Sequence, residues 1–144
     1  MTLDPRTRIL VVDDGDAIRV LMRRYLELLG CRDVRLADSV EMGLKAFQEH
    51  GSEIVFLDVM IADKKGTDFA LPALADRPET TIVVMTAHAG THPDVTALVA
   101  LGARDYLPKP IQSARLREVL ERVAADHEID DDAADRVSVD TSYG

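Results

Sequence analysis

The chain has 144 residues, 47% hydrophobic and 30% charged, which suits one soluble domain with a proper core. Its formal charge of −9 is uneven: residues 126–144 hold seven acids and one arginine, whereas residues 1–125 are close to neutral. With no basic patch and no Trp, direct nucleic-acid binding is disfavoured, and no apolar run nears the roughly 20 residues that cross a bilayer.

MTLDPRTRIL carries no signal-peptide apolar region, so the expected compartment is the cytoplasm, without membrane insertion. The first strand is expected over Ile9–Val12 and leads into DDGDAI, where Asp16 is a candidate helix cap. Ile18, Leu21, Met22, Tyr25, Leu28 and Leu29 then form a stripe of helical period stopped by Gly30. Cys31 is alone and reads as a small, half-buried residue after that helix.

A second strand, Val34–Ala37, is followed by a Ser39 cap and a helix carrying Val40, Gly43, Leu44 and Phe47 that stops at Gly51. The third strand is Ile54–Leu57. Its helix, around 67–76, is weakened by Pro72, which lacks a backbone donor. Thr81–Met85 is the fourth strand. A helix starting at Pro93, with Val95, Leu98 and Val99 on its stripe, ends at Gly102. Asp105–Leu107 is the fifth strand, and Leu116, Val119, Leu120 and Val123 follow a Ser113 cap.

Strict alternation of apolar strands with helices predicts an α/β fold: a doubly wound, flavodoxin-like five-stranded parallel sheet of order 2-1-3-4-5. Runs such as ILVV and TIVVM do not alternate with polar residues, so helices should cover both faces. The folded body is expected over residues 1–125. Residues 126–144 read as an acidic tail, either solvated or extending the fifth helix.

In parallel sheets ligands bind beyond the carboxyl ends of the strands. Asp13 and Asp14 leave the first strand there, Asp58 the third, Thr86 the fourth and Lys109 the fifth. Three crowded carboxylates repel unless a divalent cation and a lysine offset them. Oxygen ligands shared with a phosphate suit Mg²⁺, so the chain is expected to handle a phosphoryl group. The four histidines show no metal-ligand spacing.

With Asp13-Asp14, the LDVM segment around Asp58, Gly66, MTA ending at Thr86-Ala87, and GARDYLPKP with Lys109-Pro110, the chain resembles the receiver domain of two-component response regulators over about residues 8–124. The resemblance implies that Asp58 is the phosphoacceptor. It implies that Asp14, Asp58 and the Met60 carbonyl hold Mg²⁺, with Asp13 acting mainly through water. Lys109 would pair with Asp58 and then with the phosphoryl group, and a cis Lys109–Pro110 peptide would aim it inward. Thr86 and Tyr106 would be the switch pair: the threonine moves to the phosphoryl group and the tyrosine turns inward. It implies no turnover enzyme beyond self-phosphorylation and self-dephosphorylation. The implied partners are a histidine kinase or histidine phosphotransfer protein and a downstream protein target, with the chain a monomer or a weak phosphorylation-dependent dimer.

Three features depart from the family pattern or stand open within it. Ala62 occupies the place where the family usually has Pro. Lys64-Lys65 form either a solvated loop or an aid to an anionic donor. His88 is either a neighbour of the attacking water or a spectator.

Rival readings are a haloacid-dehalogenase-type phosphatase, which needs an Asp where Met60 stands, and a flavin module, whose phosphate loop would not be acidic like DDGDAI. A degenerate scaffold receiver would have lost one of the key residues. Within the receiver reading, a phosphorelay intermediate or phosphate sink stands beside a switch that binds a target and carries no output domain of its own.

Overall fold

The computed structural model describes residues 3–87 and 92–126. Five strands, β1 (Arg8–Val12), β2 (Asp33–Ala37), β3 (Ile54–Asp58), β4 (Thr81–Thr86) and β5 (Asp105–Pro108), pair in parallel in the order β2-β1-β3-β4-β5. This is the expected doubly wound sheet. The helices are α1 (Asp16–Leu28), α2 (Val40–His50), α3 (Gly66–Asp76), α4 (Pro93–Leu101) and α5, helical over 113–126.

Side chains alternate across a strand, so each strand feeds two cores. Leu10, Val12, Val55, Leu57, Ile82 and Val84 pack with Phe47, Phe69 and Leu98 from α2, α3 and α4. Ile9, Val11, Ile54, Phe56, Val83 and Met85 face Met22 and Leu26 of α1 and Leu116 and Val119 of α5. Double-sided burial explains why these runs lack polar residues. Each fully buried Leu, Ile or Phe stabilises the fold by about 1.5–3 kcal/mol relative to exposure.

Several local expectations need correction. Gly15, not Asp16, is the N-cap of α1, and Asp16 is its first helical residue, ion-paired with Arg19. Ser113 lies inside α5, and the Leu116 N–H donates to the Gln112 carbonyl at 3.0 Å. Leu28 and Val99 sit on helical stripes yet are 75% and 57% exposed, because each lies at the margin of its helix's buried face. Cys31 is buried rather than half-buried, and burial raises its thiol pKa. The third helix, by contrast, forms where it was expected, with the exposed Pro72 inside it.

Other expectations hold. Ser39 caps α2 by accepting the Met42 N–H at 3.1 Å, and Gly51 and Gly102 close α2 and α4 in the left-handed conformation. One element was not expected, a short antiparallel ribbon in which Met60–Ile61 pairs with Lys64–Lys65. Residues 127–144, and so nearly all of the acidic tail, lie outside the described residues, as does His88. Among the described residues no helix is long and apolar enough to cross a membrane.

Candidate functional site

β1 and β3 are neighbours at the sheet centre, with Val12 opposite Leu57. Asp13, one residue beyond β1, and Asp58, the last residue of β3, therefore emerge side by side. One carboxylate oxygen from each of Asp13, Asp14 and Asp58 lies within 4.8 Å of the others.

The three acids are held differently. Asp13 is 1% exposed, and its Oδ1 accepts the Gly15 N–H at 2.8 Å while its Oδ2 accepts from Lys109 Nζ at 2.8 Å. Asp58 accepts the Val59 N–H on Oδ1 at 2.8 Å and stands 3.2 Å from Lys109 Nζ through Oδ2. Asp14 is exposed, and its Oδ2 accepts the Ala62 N–H at 3.0 Å. Lys109 thus divides itself between Asp13 and Asp58, where the sequence pointed to Asp58 alone. The Lys109–Pro110 peptide is cis, as expected.

Burial, then the charge of Asp13, pushes the Asp58 carboxyl up to about 6, against the opposing pull of Lys109 and of the Val59 N–H. For Lys109, burial alone would lower the pKa, but the hydrogen bond to Asp13 and the charges of Asp58 and Asp13 raise it. A crowded, oxygen-only donor set with a carboxylate that resists ionising is what a hard divalent cation would relieve, so these residues fit Mg²⁺.

Thr86 ends β4 opposite Pro108, is 3% exposed, and its carbonyl accepts the Lys109 backbone N–H at 2.8 Å. Beside it opens a cleft of about 400 Å³ lined by Asp58, Met60, Thr86, His92, Asp94 and Lys109. Met60 is 42% exposed on the ribbon, and Tyr106, on β5, is 46% exposed with its ring outward. Lys64 and Lys65 are not simply solvated: Lys64 pairs with Glu41 of α2, and Lys65 Nζ lies 3.6 Å from Asp94 of α4.

Two contributors escaped the sequence reading. Arg19 donates from Nη1 to the Asp13 carbonyl at 2.6 Å, tying the strand end to α1; its spacing from Asp16 was the available signal. The Ala62 donor is a main-chain group and leaves no side-chain signature.

Residues 9–121 match the family described as the response regulator receiver domain. The transcriptional regulatory protein CpxR of Escherichia coli (strain K12) is 35% identical over 119 residues, 80% of this chain and 50% of CpxR. The response regulator MprA of Mycobacterium ulcerans (strain Agy99) is 35% identical over 136 residues, 92% of this chain and 56% of MprA. A CheY-like response regulator receiver domain protein from Methanospirillum hungatei JF-1 superposes with a TM-score of 0.78 at 25% identity, covering 87% of this chain and 98% of that one. The chain spans about half the length of the curated relatives it matches.

Proposed function

We propose, from the premise that the chain belongs to the response regulator receiver domain family, that it is a switch thrown by phosphorylation of Asp58. The carrying observation is the Asp58 carboxylate itself, partly exposed at a cleft mouth, with Lys109 at 3.2 Å and two further acids within 4.8 Å. One Asp58 oxygen attacks phosphorus in line as an O–P bond forms. The P–N bond of a phosphohistidine, on a histidine kinase or phosphotransfer protein, breaks as the imidazole leaves with the electron pair.

Asp13, Asp14, Asp58 and the Met60 carbonyl would hold Mg²⁺, which supplies charge compensation for the transferring phosphoryl oxygens. Lys109 pairs with a phosphoryl oxygen, and Thr86 donates its hydroxyl to another. Tyr106 then turns inward and alters the surface of α4, β5 and α5 that meets a protein target. The chain catalyses only its own phosphorylation and dephosphorylation and acts in the cytoplasm.

Incubation with Mg²⁺ and acetyl phosphate tests this reading. Intact mass should gain one base-labile phosphoryl group, and Asp58→Asn should abolish the gain. Labelling of that variant at the wild-type rate would overturn the assignment.

A further inference from the structure

The ribbon that follows Asp58 makes a two-residue turn at Ala62-Asp63, since Ile61 pairs with Lys64. Ala62 has φ +58°, the one positive φ at a non-glycine residue among those described. A positive φ at the first central position of such a hairpin favours glycine, because a Cβ crowds the backbone. In this conformation the Ala62 N–H meets Asp14 Oδ2 at 3.0 Å, 48 residues away in sequence.

Asp14 is the acid that needs an outside hand. Asp13 and Asp58 each receive a local main-chain N–H and share Lys109. Asp14 is exposed, and the donor that reaches it comes from the ribbon. The ribbon is braced on both sides, by Lys64 with Glu41 of α2 and by Lys65 with Asp94 of α4. Each exposed pair contributes little stability alone, but together they limit where the turn can stand.

We propose that Ala62 is a positioning residue: its main-chain N–H fixes the Asp14 carboxylate before a cation arrives, and so sets divalent-cation affinity. The proposal rests on the reading of Asp14 as a metal ligand. A carboxylate oxygen has a second lone pair left for the cation, and a side chain already held loses less freedom on ligation.

An ester in place of the Ile61–Ala62 amide removes that N–H and weakens the Ile61 carbonyl as an acceptor, with no change of charge or side chain. Binding of Mg²⁺ by calorimetry should weaken about ten-fold, the scale of lost outer-sphere hydrogen bonds at metal sites. Ala62→Pro, which also lacks the donor and cannot take this φ, should weaken it at least as much, while Ala62→Gly should bind like wild type. Half-saturating Mg²⁺ for acetyl phosphate labelling should rise in the ester, with the rate at saturation unchanged. An ester that lowers metal-free thermal stability but leaves Mg²⁺ affinity intact would overturn the proposal and leave the phosphorylation reading standing. A wild-type chain that binds no Mg²⁺ would overturn both.

Discussion

Lys109 Nζ stands closer to Asp13, at 2.8 Å, than to Asp58, at 3.2 Å. The lysine therefore separates two carboxylates that would otherwise repel across a largely buried gap. Lys109→Ala should destabilise the domain by about 2 kcal/mol, the scale for leaving charged groups without their partner. Adding Asp58→Asn should recover much of that loss, since it removes one of the two like charges. Urea unfolding of both variants at neutral pH measures this; equal stability of the single and double variants would count against the repulsion.

Asp58 predicts an inverted dependence of stability on pH. Its folded pKa of about 6 lies above the ordinary carboxylate value, so between roughly pH 4 and 6 the native state holds more protons than the unfolded chain. Stability contributed by this group is thus present at low pH and lost as pH rises through that window. Relative to Asp58→Asn, the wild type should lose on the order of 2 kcal/mol between pH 4 and 7. Lys109 carries the opposite sign for its own transition: its raised pKa gives stability present at neutral pH and lost only under alkaline conditions, outside this window. A wild-type-minus-variant difference that stays flat across the window would refute the raised pKa.

Much of this was legible in the chain. Strands buried on both faces lose their polar alternation, so ILVV and TIVVM announced the sheet. Parallel topology then forces Asp13, Asp58, Thr86 and Lys109 to one edge. What stayed hidden depended on distances of an ångström or on groups every residue shares. The division of Lys109 between two acids is of the first kind, and the Ala62 N–H on Asp14 is of the second. Two of the expected caps failed for a related reason: Asp16 and Ser113 are good capping residue types, but a shift of one position decides which residue caps.

Gly66 was visible as a motif residue without a reason, and the packing supplies one. A Cβ there would lie 2.6 Å from the Asp58 carbonyl oxygen and 3.2 Å from Leu98 Cδ1. The Gly66 N–H also donates to the Val59 carbonyl at 2.7 Å, so the backbone has little room to yield. Gly66→Ala should cost about 1–3 kcal/mol as an overpacked site and slow phosphorylation by displacing the acceptor's own backbone. Gly30→Ala is the control: its φ of +97° makes it costly for stability, but no atom lies within 4 Å of the added Cβ. It should therefore leave the labelling rate per folded molecule untouched. Equal labelling rates in Gly66→Ala and wild type would detach this contact from the site.

The outward ring of Tyr106 offers a direct view of the proposed switch, because the chain contains no Trp. Tyr106→Trp would place a single indole at a position now 46% exposed. If phosphorylation draws the Thr86 hydroxyl toward the phosphoryl group and frees space behind it, the indole should move out of water and its emission shift to the blue. Acetyl phosphate with Mg²⁺ should produce that shift. Asp58→Asn in the same background should abolish it by removing the acceptor. Thr86→Val, which keeps the shape but lacks the hydroxyl, should permit labelling yet weaken the shift, because the pull on residue 86 is gone. An emission maximum that does not move on full phosphorylation would mean that residue 106 is a fixed surface group and that the output of the site leaves by another face.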